Sequence, residues 1–123
     1  MSVAEEFVQE LRTRYDDEVR VVATYSEDGY EMLYTIDPVD EEYTVEDLTA
    51  IHDDVVLQDI EQPFQESLFH DLGDIQGKVR LFDGGTVAHF WPEGDSDGVL
   101  VVLGGDANIG LRSLLDLAKS YYS

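Results

Sequence analysis

Apolar residues recur along this chain at two different periods, and each change of period marks the edge of an element. Val3, Phe7 and Leu11, continued by Tyr15, sit four apart and predict a helix over residues 2–15. Ser2 is placed as its N-cap and Glu5 for a capping box, while Glu5 and Glu6 suit the positive end of the helix dipole. Asp16-Asp17-Glu18 ends the helix. Residues 19–25 and 30–36 then read as two strands around Ser26-Glu27-Asp28-Gly29, whose Asp-Gly pair is a hairpin signal. In the second strand Tyr30, Met32, Tyr34 and Ile36 alternate with Glu31, Leu33 and Thr35, which predicts one apolar face and one mixed face.

Residues 37–42 read as a loop, because Pro38 cannot sit in a central strand. Thr44, with Asp47 three residues on, caps a second helix that carries Val45, Leu48, Ile51, Val55 and either Val56 or Ile60 at helical spacing. Pro63 breaks or kinks that helix. A further segment over 63–71 carries Phe64, Leu68 and Phe69, with Gly73 as its stop. Residues 78–83 and 86–91 form a strand pair joined through Asp83-Gly84-Gly85, and a polar loop over 92–98 follows. Val99-Leu100-Val101-Val102-Leu103 has no polar position, so it is expected at the centre of the sheet, buried on both faces. A last helix over 107–121, N-capped by Asp106, buries Ile109, Leu111, Leu114, Leu115 and Ala118.

The predicted order is α-β-β-α-β-β-β-α. It implies an α+β fold, a five-stranded antiparallel sheet with helices packed on its faces, in one domain spanning residues 1–123. An aspartate on the face of Leu114 or Ile109 is expected to unfold or disassemble it.

Charge changes this picture more than any motif does. The chain has 28 Asp and Glu against 7 Lys and Arg, a net charge of -21. At low salt such a surface repels itself. In molar salt the Debye length falls to about 3 Å and the repulsion is screened. The composition therefore points to a folded protein in the cytoplasm of a salt-accumulating halophile. The same charge argues against nucleic acid and anionic lipid as partners, since both require a cationic patch. With no cysteine, disulfides, thiol catalysis and Cys-ligated zinc are excluded. The N-terminus lacks the basic and apolar regions of a signal peptide, and no apolar run reaches the roughly 18–20 residues of a membrane span.

Candidate chemistry is sparse. His52-Asp53-Asp54 is a pairing that can share a divalent ion, and with His70 it is the basis of a metal-dependent hydrolase reading, but a helical His followed by two Asp is more often a solvated face. Gly104-Gly105-Asp106 resembles a nucleotide-cyclase turn without the acidic and aromatic residues that should follow, and reads as a strand-to-helix turn. The acidic loops at 37–42 and 93–97 lack the calcium-loop pattern. No catalytic, cofactor or metal residue is assigned, and the chain is not expected to be an enzyme. Aromatic residues stand out more: of Tyr25, Tyr30, Tyr34, Phe90 and Trp91 in or beside the strands, Tyr30 and Trp91 lie near strand ends and are the best candidates for a contact surface. Tyr121 and Tyr122, at the end of the last helix, either dock on a partner or fray.

The last forty residues carry a family resemblance. A strand pair, the apolar strand Val99–Leu103 and the turn Asp106-Ala107-Asn108-Ile109-Gly110-Leu111 resemble the roadblock / dynein light-chain family, a relative of longin and profilin-like folds. Gly29 at the first hairpin tip agrees with it. The resemblance implies a non-catalytic protein–protein interaction module: a homodimer formed through a helix and an edge strand, acting as a scaffold or regulator of a small Ras-like GTPase or as a subunit of a signalling assembly. A different class of function is a small-ligand sensor of profilin-like type, with a metabolite held between helix and sheet. A third, an acidic mimic that occupies a nucleic-acid-binding protein, follows from charge alone.

Overall fold

The most apolar strand is the middle one. In the computed structural model, which describes residues 2–91, 98–107 and 110–122, β5 (Gly98–Gly104) pairs antiparallel with β1 (Val19–Ser26) on one side and β4 (Gly85–Phe90) on the other. β2 (Gly29–Thr35) and β3 (Gly77–Phe82) form the two edges, giving the order β2-β1-β5-β4-β3. Every pairing is antiparallel, so the fold is the expected α+β arrangement with a five-stranded antiparallel sheet.

The two faces of this sheet are packed differently. Val99, Val101 and Leu103 point to a face covered by α1 (Val3–Tyr15) and α5 (Leu111–Tyr122), where they are wholly buried with Phe7, Leu11 and Leu114. Leu100 and Val102 point the other way, towards α3 (Val45–Ile60), and stay half-buried. The first face is the hydrophobic core. The second is loosely filled, because of α3's apolar residues only Val55 is fully buried while Val45, Leu57 and Ile60 stand exposed.

Helix ends follow local chemistry. The Ser2 hydroxyl accepts the Glu5 amide at 3.1 Å, which starts α1. Thr44 and Asp47 complete a capping box: the Thr44 hydroxyl accepts the Asp47 amide at 3.1 Å, and the Asp47 carboxylate accepts the Thr44 amide at 2.9 Å. α3 stops at Ile60, and Pro63 lies in the first turn of a separate short helix, α4 (Gln62–Leu68), where its missing N–H is no loss. α4 ends at Leu68 with Phe69 as its C-cap, short of the expected 71, and Gly73 follows five residues on in a turn with φ of 83°.

Three sequence expectations need correction. Residues 37–42 are a short helix, α2 (Asp37–Glu42), and not a loop; Pro38 suits a first helical turn, and Asp37 and Asp40 favour its positive end. The simple alternation expected along β2 is broken by a register shift. Val22 faces Tyr34 while Ala23 faces Met32, so Leu33 is an extra residue. Tyr30 and Met32 therefore face α3, whereas Leu33 and Tyr34 pack against the core, with the Arg12 guanidinium 5.0 Å from the Tyr34 ring centre. The last helix begins at Leu111, which is half exposed and not buried as expected, and not at 107, because Gly104-Gly105-Asp106 closes a turn, with the Ala107 amide bonded to the Gly104 carbonyl at 3.2 Å. Residues 92–97 of the polar loop expected at 92–98, and Asn108 and Ile109 of the family-like turn, lie outside the described residues, while Gly98 opens β5.

Candidate functional site

The loose face encloses a cavity of about 380 Å³ between α3 and the sheet. Its floor is made of the apolar side chains of Val21, Ala23, Met32, Val87, Leu100 and Val102, and its roof of Val39, Leu48, Ile51 and Val55. Ala23 and the valines of the floor leave space beneath α3 that longer side chains would fill. Tyr30, Tyr43 and His52 also line it, together with Arg20, Arg80 and Asp54. Arg80 reaches across from β3 to α3, its Nη1 donating to Asp54 Oδ2 at 3.0 Å, and its Nε is buried with no hydrogen-bond partner among the described residues.

Beside the cavity lies a buried polar cluster. Asp59 sits one helical turn after Val55, so it points at the sheet. Its Oδ1 accepts the Tyr25 hydroxyl at 3.4 Å and the Trp91 indole N–H. His89, 0% exposed, has its Nδ1 3.4 Å from the Tyr25 oxygen and its ring 5.0 Å from that of Trp91. With the Tyr25 proton committed to Asp59, His89 Nδ1–H is the donor to Tyr25, which leaves Nε2 as a bare acceptor; it has no partner among the described residues. Gly98 opposite leaves room for the tyrosine, since a Cβ there would fall on the Tyr25 ring.

Burial sets the charges. It pushes Asp59 up to about 6, against the Trp91 and Tyr25 hydrogen bonds that favour the carboxylate. It pushes His89 down to about 4, helped by the nearby Arg80 and Lys78. Burial, then the Asp59 charge, raises Tyr25 as well, so that its hydroxyl remains a donor. At neutral pH the cluster thus holds an anionic Asp59, a neutral His89 and a protonated Tyr25.

A pH dependence follows from these directions. The raised Asp59 contributes stability that is complete below its ordinary 3.8 and lost as pH rises through about 6. The depressed His89 contributes stability that is complete above its ordinary 6.5 and lost as pH falls towards about 4. Between these limits the two oppose each other. Asp59→Asn, which keeps the acceptor oxygen, should raise stability at pH 7 by about 1 kcal/mol after discounting the shift for solvent screening. It should also leave a stability that falls more steeply than the wild type's from pH 6.5 to 4. Urea unfolding in molar KCl across that range reads both effects, and an Asn variant weaker than wild type at pH 7 would contradict this assignment.

The aromatic residues singled out in the sequence do not form one surface. Tyr30, 39% exposed, lies at the cavity mouth with its ring 5.8 Å from His52. Trp91 is half-buried and tied to Asp59 and His89. Tyr121 and Tyr122 are on the opposite side of the sheet, where both rings pack on Phe7, at 5.6 and 5.3 Å, and fasten the end of α5 to α1. The His52-Asp53-Asp54 group makes only a 3.9 Å contact between His52 Nδ1 and Asp53 Oδ1, and its other contacts lead elsewhere. His52 Nε2 bonds the Ser26 carbonyl at 2.6 Å, Asp54 is held by Arg80 and Gln58, and His70 is exposed elsewhere. Among the described residues no three His, Asp or Glu side chains gather in a way that could hold a metal ion.

Sequence reading passed over Tyr25, Asp59 and His89 as a group. The signal was present: Asp59 is four residues after Val55 on the apolar stripe of a helix, and His89 shares the parity of Val87 and Trp91 in an apolar strand. A charged or polar residue at an apolar position is the mark of a buried polar contact.

Fold and cavity together define an α+β domain with one sheet face closed by its core and the other carrying a cavity beneath α3. Residues 5–123 match the model of a domain of unknown function, DUF7522, and the chain belongs to that family. No curated protein and no solved structure matches it. No helix among the described residues is long and apolar enough to cross a membrane.

Proposed function

We propose that this chain is a non-catalytic interaction module that works as a homodimer, two copies meeting along β3 so that their sheets become one. The observation that carries this reading is the character of the β3 edge. Leu81 is 81% exposed and Phe82 59%, on a strand whose outer backbone groups have no neighbouring strand among the described residues. Single exposed apolar side chains are ordinary, but an open edge with large ones is an association site. The segment leading into β3 adds Phe64, Leu68, Phe69 and Leu72, all exposed. Arg80, a charge that would otherwise guard the edge, is turned to Asp54.

A second copy suits this edge better than a cationic partner does. An isologous pairing of β3 with itself satisfies both open backbones at once. The acidic coat supports work in molar salt, where repulsion between two highly negative copies is screened and apolar burial decides. The dimer would serve as a scaffold with two equivalent surfaces. A small Ras-like GTPase or signalling subunit is the class of client that the roadblock resemblance implies.

The chain has no cysteine, which makes a direct test simple. Single cysteines placed in turn at positions 78–82 should give disulfide-linked dimers at the positions nearest the two-fold axis. A cysteine replacing Glu31 on the opposite edge should not. Equal cross-linking at both edges would overturn the proposal.

A further inference from the structure

We infer that the cavity between α3 and the sheet binds a small apolar carboxylate, its hydrocarbon part in the pocket and its head on Arg80. This inference does not rest on the dimer. The volume of about 380 Å³ falls within the range of small-molecule sites, roughly 300–1,000 Å³, and the wall is dominated by Val, Leu, Ile and Met. The cations are placed against the composition of the chain. Of only 7 Lys and Arg, facing 28 acids, both Arg20 and Arg80 border this apolar space.

Arg80 supplies the chemistry of recognition. Asp54 holds its Nη1, while the buried Nε–H has no acceptor among the described residues. A carboxylate accepting along the Nε edge of the guanidinium would satisfy that donor in the fork geometry such pairs favour. A neutral alcohol offers only one weaker acceptor there, and an alkylammonium offers none. Asp54 also borders the cavity and repels an anion, so the head group must approach from the side of Arg80 away from it. Filling the space restores contacts that an empty cavity forgoes, so binding should raise thermal stability.

The probe is octanoate, with octanol and octylamine as head-group controls, read by thermal unfolding and calorimetry of the full chain in 2 M KCl. Octanoate should raise the melting temperature in a concentration-dependent way and bind at least tenfold more tightly than either control. Arg80→Met, which keeps the apolar stem, should bring octanoate down to the affinity of octanol. Ala23→Phe, which fills the floor, should abolish binding of both while retaining a cooperative melt. Equal binding of octanoate and octanol, undiminished octanoate binding by Arg80→Met, or no binding of octanoate to the wild type would each overturn the inference.

Discussion

Leu114→Asp should leave the protein without a cooperative melt, even in molar KCl. Leu114 is wholly buried in α5, in the cluster that Phe7, Leu11, Val22 and Val101 form beneath it. Removing a buried leucine side chain costs about 2–5 kcal/mol. The carboxylate adds a further penalty of several kcal/mol, because among the described residues the buried side chains clustered with Leu114 are all apolar. A domain of this size has about 5–15 kcal/mol in total. The control is Leu114→Met, which nearly conserves volume and should cost less than about 1.5 kcal/mol. Circular dichroism melts of the two variants decide the matter; a cooperative Leu114→Asp transition close to that of the wild type would remove this face from the core.

The double change Leu81→Glu with Phe82→Glu should have the opposite character, with a normal melt and a lost dimer. Both side chains are largely exposed, so their replacement takes nothing from the monomer's core. In a symmetric pair the change is made twice. Four large apolar groups leave the interface and four carboxylates enter it, facing one another across the two-fold axis. Burial of a Leu or Phe is worth about 1.5–3 kcal/mol, so even partial burial of four amounts to several kcal/mol. Every 1.4 kcal/mol is a factor of ten in the dissociation constant, and a weakening of at least a hundredfold is expected. Light scattering on a size-exclusion column, run beside a thermal melt, separates the two effects. A variant that stays dimeric would place the contact elsewhere.

The large features of the fold were legible because they rest on period and composition. The unbroken apolar run of Val99–Leu103 announced the central strand, and it became the centre of the sheet, although Leu100 and Val102 on its second face are only half-buried. Ser2, Thr44 and Pro63 marked helix ends by local chemistry that tertiary context did not alter. The failures have physical reasons too. A proline in an acidic stretch suits a loop and a first helical turn equally well, and 37–42 took the helix. The extra residue in β2 is a property of the pairing with β1, which no single strand announces. The candidate site was hidden for a related reason. Asp59, Tyr25 and His89 are 34 and 64 residues apart along the pairs they form with Tyr25, and a cavity is space that no residue carries in its letter.

Sedimentation equilibrium of the wild-type protein across a series of KCl concentrations is the most direct test of the proposed association. Two acidic copies held by apolar edges should give a mass tending to twice 13.9 kDa in 2 M KCl and dissociate as salt is removed. A mass of 13.9 kDa at every salt and protein concentration, or an association that strengthens as salt is withdrawn, would contradict it.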